Sequence, residues 1–558
     1  MTEKKRTLLV GIDAACWEYL DPLLADDRLP NIKLLMNSGV HGSLGSPMPP
    51  MTPVAWSSIV TGKGPAKHGV YEWVRRKEDT YEFVPYTKNH QRGTPFWKSL
   101  ADYGIKVGLV NVPFTYPPME VDGFVVCGFG APESAENFTN PPALLEEIEL
   151  LFGEYRPTVP IELKKNGSVD ELFEAERLLQ EKQVQIAVAM AAREDVDVLV
   201  INLMFPDHAN HYFADIQRVE DAIILTDSHL GLLIEGFLPD TVLLISDHGS
   251  RRLQGRFLFG AWLSDHGYQS RPDPQQIVKR NYINWLVTQK FQQLDWPDLL
   301  WKLARRAIVE IWMQAPPILD EYLWKVLHSQ LPLQLHDYWC LPNVDYRTSM
   351  VYTHSAFGCL YLNVKGREPD GLVSPDEQEA LGKRLVSELS NIIDPNTGKP
   401  LFSNIYLCDQ IYSDSTIGQP PDFVLDHHSS DWGLSFQLPP PIVPRDGYYV
   451  RGMSGWYGEH SSEGIYVFSG ADILANPDRG SASLLDIPTT LLYLHGVPIP
   501  EDYDGRVMVE VIEPVTLNNR PVSFQSGDPP GEIEQFSEIS DEEAQILLDQ
   551  LRDLGYVE

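Results

Sequence analysis

Asp13, Asp207, His211, Asp247 and His248 all stand at or just beyond the ends of short apolar runs. Thr7–Ile12 stops at Asp13, and residues 196–203 lead into Phe205-Pro206-Asp207-His208-Ala209-Asn210-His211. Residues 241–246 lead into Asp247-His248-Gly249-Ser250. Any single acid or imidazole in such a place reads equally well as a helix cap or a loop residue. Three such ends in one chain point to a divalent-metal site, because carboxylate and imidazole are the donors that Zn²⁺ and similar ions prefer.

A hydroxyl of interest lies in Met51-Thr52-Pro53-Val54-Ala55-Trp56, just after Pro47-Met48-Pro49-Pro50. Each proline holds the residue before it in extended geometry, so no helix begins before Met51. Thr52 has the marks of an N-cap, with Pro53 at the first helical position and Gly62 closing the helix. A hydroxyl there lies among unsatisfied N–H groups at the positive end of the helix dipole, where an anion is stabilised. Taken alone, the stretch fits a plain cap as well as a group facing an anion.

The elements that must position these residues follow from periodicity. The runs at 7–12, 107–112, 196–203 and 241–246 are continuously apolar, as expected of strands buried on both faces of a parallel sheet. Helical patterns over 171–192 and 216–236 lie among them, so the expected fold is α/β, a mostly parallel central sheet flanked by helices. In such sheets, ligands gather beyond the carboxyl ends of the strands. After residue 345 the pattern continues with a strand at 359–364, a helix over 375–393, a strand at 464–469 preceded by Gly458-Glu459-His460, and a helix over 483–492.

Two segments differ from this core. Residues 251–344 carry Trp285, Trp296, Trp301, Trp312 and Trp324 on a helical pattern, and are expected to form a cap over the catalytic face or a membrane- or partner-binding element. Residues 514–558 form an acidic tail in which Ser540-Asp541-Glu542-Glu543 opens a short helix. The catalytic core is therefore expected to be discontinuous, over 1–250 and 345–513.

Composition narrows the classes. At 558 residues with 43% hydrophobic and 10% aromatic residues, the chain is well supplied for a buried core. A net charge of −34 argues against nucleic-acid polymers and anionic membranes as partners, although bound cations would still admit an anionic substrate. The five cysteines are scattered, with no CxxC pair, as expected of reduced thiols in a cytoplasmic protein. Asp13 interrupts the first apolar run too early for an export signal, no stretch has transmembrane length, and there is no Walker spacing.

In order, Gly11-Ile12-Asp13, Thr52-Pro53, Val60-Thr61-Gly62, His68-Gly69-Val70, Asp207-x-x-x-His211, Ser246-Asp247-His248-Gly249 and Gly458-Glu459-His460 form a pattern. With it the chain resembles the alkaline phosphatase superfamily, in its type I phosphodiesterase/nucleotide pyrophosphatase branch, near the group of predicted phosphohydrolases and phosphomutases. The resemblance implies two divalent ions, with Zn²⁺ preferred and Mn²⁺ as the alternative. Asp13, Thr52, Asp247 and His248 would hold one, and Asp207, His211 and His460 the other. It also implies that Thr52 is the nucleophile, forming a phosphothreonine that water then hydrolyses.

The implied activity is hydrolysis of phosphodiester or pyrophosphate bonds in a small phosphorylated substrate. A phosphomutase or phosphoryl or phosphonyl transferase on the same site is the alternative, and a non-catalytic binding protein keeping the fold is a third. One departure concerns the substrate. Nucleotide pyrophosphatases of this type carry an asparagine soon after the His-Gly element, where this chain has Tyr71-Glu72-Trp73. Asn111, at the end of the second apolar run, is the candidate substitute for that contact.

Overall fold

The first, second, third and fourth apolar runs all become strands that are buried at every residue. The computed structural model describes residues 5–270, 344–353, 356–412, 416–436, 447–451, 457–527, 539–553 and 556–557. Its central sheet has 9 strands. They are β1 (Thr7–Ile12), β2 (Gly39–Gly45), β3 (Val107–Val112), β4 (Gly123–Cys127), β5 (Thr139–Asn140), β6 (Val198–Leu203), β7 (Thr241–Ile245), β8 (Glu463–Gly470) and β9 (Asn476–Ser483).

Their spatial order is β9-β2-β8-β7-β1-β6-β3-β4-β5. The stretch from β7 through β1, β6 and β3 to β4 is parallel throughout. Strand β8 runs antiparallel between β2 and β7, and β5 forms an antiparallel edge. The sheet is thus mixed but mostly parallel. Because the parallel strands share one direction, Asp13, Met204 and Asp247 leave the sheet on the same edge, where Asn111 lies near the end of β3.

Helices α1 (Pro30–Ser38), α2 (Thr52–Thr61), α3 (Phe96–Ala101), α4 (Val169–Glu194), α5 (Phe205–Tyr212), α6 (Ile216–Phe237), α7 (Asp486–Leu494) and α8 (Asp541–Asp553) flank it. Helix α6 packs on α1, α4 and β1, while α2, α3 and α7 pack together as a second group. Helix α4 opens on a reciprocal cap. The Ser168 Oγ accepts from the Glu171 amide at 3.2 Å, and the Ser168 amide donates to Glu171 Oε2 at 2.8 Å.

Helix α2 corrects one expectation. Met51, not Thr52, is the N-cap: its backbone is extended (φ −132°) and its carbonyl accepts from the Ala55 amide at 2.8 Å. Thr52 is the first helical residue and Pro53 the second, where a missing N–H is still harmless. The Thr52 hydroxyl is consequently not used as a cap. Gly62 does close the helix, in the left-handed conformation at φ +67°.

A second hydrophobic cluster lies apart from the central sheet and includes Phe257, Trp262, Leu360, Leu385, Phe423 and Trp432. Around it, Gly255–Leu258 pairs with Trp432–Ser435 and Tyr449–Arg451, and Cys359–Leu362 pairs with Phe423–Asp426. Residues 255–265, soon after Asp247, therefore belong to this cluster. The tryptophan-rich stretch from Tyr282 to Leu331 lies outside the described residues, as do residues 528–531 of the tail. The capping box foreseen at Ser540 is formed, with Ser540 Oγ accepting from the Glu543 amide at 3.2 Å.

Candidate active site

The strand ends and one antiparallel ribbon bring the candidate ligands together. Asp13 follows β1, and Asp207 and His211 lie one turn apart on α5, which starts two residues after β6. Asp247 and His248 follow β7. Residues Gly249–Arg252 then pair with Gly458–Ser461, setting Ser250 opposite His460 and carrying His460 to the same place. All six of these side chains, and Thr52, are buried.

Two groups of donor atoms lie close enough to share an ion: Asp13, Asp247 and His248, and Asp207, His248 and His460. His248 is the hinge between them. Its Nε2 is 3.5 Å from Asp13 Oδ1, 3.4 Å from Asp247 Oδ2 and 3.2 Å from Thr52 Oγ1, and its ring stacks on His460 at 3.7 Å. His211 Nε2 lies 3.1 Å from both Asp207 Oδ1 and His460 Nε2. Five of the expected ligands fall in these groups, with His248 common to both where the resemblance assigned it to one ion; Thr52 and His211 border the groups through His248, Asp207 and His460.

The three histidines are oriented alike. His211 Nδ1 faces the Gly458 carbonyl at 2.8 Å, His460 Nδ1 the Pro50 carbonyl at 2.9 Å, and His248 Nδ1 the Gly249 carbonyl at 3.1 Å. A carbonyl only accepts, so each Nδ1 carries the proton and each Nε2 turns its lone pair inward. Asp13 Oδ1, Asp207 Oδ1 and both Asp247 carboxylate oxygens are buried without a hydrogen-bond donor. Orphaned carboxylate oxygens facing imidazole lone pairs fit a divalent cation and fit little else.

Electrostatics agree with that fit. Burial first, then the charges of Asp247 and Asp207, push Asp13 well above the usual carboxylate range. Burial and then Asp207 push Asp247 up to about 8. Burial would raise Asp207 too, but His211, His460 and His248 outweigh it and hold it low. Burial and then His248 drive His460 well below its usual value. Crowded buried carboxylates of this kind carry protons until a cation replaces them.

Asn202, absent from the sequence reading, holds Asp13 in place. Asn202 Nδ2 donates to Asp13 Oδ2 at 2.9 Å, and Asn111 Nδ2 donates to the Asn202 carbonyl at 2.8 Å. A β-carbon at Gly11 would meet Asn202 Oδ1 at 2.4 Å and the Trp56 ring at 2.7 Å, which accounts for the glycine before Asp13. The signal for Asn202 was present: a lone amide inside an otherwise apolar strand. Asn111 itself does not join the ligand groups. It has φ +54° and lines a cleft of about 300 Å³ with Phe129, Glu176 and His208.

His208 pairs with Glu176 at 2.9 Å and stays out of the cluster. Cys16 is a buried free thiol that donates to the Ser250 carbonyl at 3.5 Å.

Residues 7–314 match the family model described as type I phosphodiesterase / nucleotide pyrophosphatase. The chain belongs to this family. As a type I phosphodiesterase/nucleotide pyrophosphatase relative, it is a hydrolase acting on phosphoester bonds. No curated protein matches it significantly.

Among solved structures, it is similar to phosphonoacetate hydrolase from Sinorhizobium meliloti 1021 in complex with phosphonoacetate, at 14% identity and TM-score 0.46, over 87% of this chain and 94% of that one. It is also similar to human ectonucleotide pyrophosphatase / phosphodiesterase 5, at 13% identity and TM-score 0.47, over 91% of this chain and 100% of that one. The murine counterpart, in an inactive form with AMP, gives 13% identity and TM-score 0.48 over the same shares. Among the described residues of this family member, no helix is long and apolar enough to cross a membrane.

Proposed function

We propose that the protein cleaves phosphodiester or pyrophosphate bonds of a small phosphorylated substrate through a phosphothreonine on Thr52. The observation that carries this reading is the placing of the Thr52 hydroxyl. It stands 3.2 Å from His248 Nε2, beside Asp13 and Asp247, and no cap uses it. Asp13, Asp247 and His248 with Thr52 would hold one divalent ion, and Asp207, His211 and His460 the other, Zn²⁺ before Mn²⁺. When bound, such ions make a threonine alkoxide accessible at neutral pH and neutralise charge on the leaving oxygen.

The chain's own residues account for the rest. Without an ion, His248 Nε2 accepts the Thr52 hydroxyl hydrogen and fixes its rotamer; the same lone pair would turn to the ion when one is bound. The first-turn amides of α2 offer positive potential to a phosphoryl oxygen. The Nδ1 bonds to Gly249, Gly458 and Pro50 keep three imidazoles aimed inward, and full burial keeps the local dielectric low. Reduced thiols at Cys16, Cys127, Cys359 and Cys408 suit the cytoplasm.

The test compares bis(p-nitrophenyl) phosphate with p-nitrophenyl phosphate, with Zn²⁺ or Mn²⁺ added to metal-stripped protein. Metal-dependent turnover that favours the diester is expected. Turnover that is indifferent to metal, or confined to the monoester, rejects the reading.

A further inference from the structure

Part of the tail packs into the wall of the site. Leu547, Leu548 and Leu551 of α8, with Tyr556 and Val557, join Trp73, Phe114, Phe129 and Met204 in one apolar cluster. Two polar contacts fix the helix. The Tyr116 hydroxyl donates to Glu543 Oε1 at 2.7 Å, and Gln550 Oε1 accepts from the Glu133 amide at 3.2 Å.

Tyr556 is fully buried at 0% exposure, with its ring 4.6 Å from Trp73 and edge-on to His211 at 5.7 Å. Its hydroxyl donates to Asp207 Oδ2 at 3.1 Å. The other oxygen of the same carboxylate, Oδ1, faces His211 Nε2 at 3.1 Å and His460 Nε2 at 3.6 Å.

We infer that Tyr556 is a positioning residue for Asp207, brought in by the C-terminal tail, and that the tail thereby completes the metal site. The inference rests on Asp207 being a ligand, as proposed above. A carboxylate that must present one oxygen to a cation needs its other oxygen held, or it turns freely between one- and two-oxygen binding. A phenol does this well, because it supplies one directed hydrogen bond and no charge. Lysine or arginine in its place would neutralise the acid and weaken the cation's attraction to it.

The contact also has a competing explanation. A buried aromatic beside the ligands could be a plug that excludes substrate. The two accounts differ in sign: loss of the hydroxyl weakens metal binding if Tyr556 positions Asp207, and frees the site if it obstructs.

The experiment is Tyr556→Phe in the full-length protein, which keeps the ring and its packing. Metal-stripped wild type and variant are titrated calorimetrically with Zn²⁺ and with Mn²⁺, and the melting temperature of the metal-free form is recorded. One of two sites is expected to weaken by about 10–100-fold, the usual loss when an outer hydrogen bond to a ligand is removed. The metal-free melting temperature should stay close to wild type.

Tyr116→Phe, which loosens the helix at Glu543 and leaves Asp207 untouched, should give a smaller loss of the same sign. Two ions bound with unchanged affinity in Tyr556→Phe, or turnover above wild type, overturn the inference while leaving the proposed function standing. A wild-type protein that takes up no metal overturns both.

Discussion

His211 and His460 face each other through Nε2 at 3.1 Å, and each has already committed its Nδ1 hydrogen to a backbone carbonyl. Two imidazole lone pairs at that distance repel unless a cation lies between or beside them. A divalent ion would meet that need when bound. Asp207, 3.1 Å from His211 and 3.6 Å from His460, would supply the compensating charge.

Metal uptake should accordingly release protons. Asp13 and Asp247 are raised in the metal-free protein, Asp247 to about 8, so each proton held there must leave before the oxygen can bind an ion. Affinity should rise with pH towards about 8 and flatten above it. Calorimetry in buffers of differing ionisation enthalpy gives the proton count directly. An affinity independent of pH between 6 and 8, to take roughly the neutral range, would contradict it.

Thr52→Ala should lower diester turnover by roughly a thousandfold or more, the scale of losing a covalent nucleophile. Metal content should fall only modestly, since three other side chains remain around that position. Thr52→Ser keeps a hydroxyl and should retain much of the activity. Steady-state kinetics beside elemental analysis separates the two effects.

Asp247→Ala and His460→Ala should each reduce the bound metal, because the two residues belong to different donor groups. Stoichiometry by elemental analysis after gel filtration is the measurement. Two tightly held ions in both variants would show that the ligand map is wrong.

Glu176 offers a stability test away from the ligands. It is buried against His208 at 2.9 Å and Lys164 at 3.4 Å. Burial alone would raise its pKa, but His208 and then Lys164 outweigh this and bring it from 4.5 down to about 2. A depressed folded value means stability that is fully present above the unfolded value of 4.5 and is lost as pH falls through about 2. Glu176→Gln should cost on the order of 3 kcal/mol at neutral pH and flatten that acid dependence. Urea unfolding at pH 7 and at low pH reads both.

What could be read from the sequence follows from how local each signal is. Asp13 and Asp247 were visible because a buried strand that stops at a charge marks its own end. Asp207 and His211 were visible because they follow an apolar run directly and keep the Asp-x-x-x-His spacing of the resemblance. The start of α2 was misplaced by one residue, since proline suits the first and the second helical position equally.

Strand β2, Gly39-Val40-His41-Gly42-Ser43-Leu44-Gly45, has three glycines and no strand pattern. Its partners β8 and β9 impose its conformation. His460 could be assigned through the resemblance, but its neighbours could not. The ribbon that delivers it pairs segments some two hundred residues apart, with no local trace of the pairing. Tyr556 had no sequence signal beyond being an aromatic residue at the end of an acidic tail.

Strand β8 also governs the order in which this molecule can be finished. It lies between β2 and β7, yet it comes more than two hundred residues after β7 in the chain. While the polypeptide is still emerging from the ribosome, β2 and β7 each present an open edge with nothing to pair to, a hazard for sticking to neighbouring chains. His460 arrives three residues before β8 begins to fill that gap, so a nascent chain released early is both adhesive and without one of its proposed ligands. On the proposed ligand set, the centre thus waits for a segment made more than two hundred residues after β7, and the quality control of unfinished chains bears on it more heavily than on folds built from their N-terminus outward.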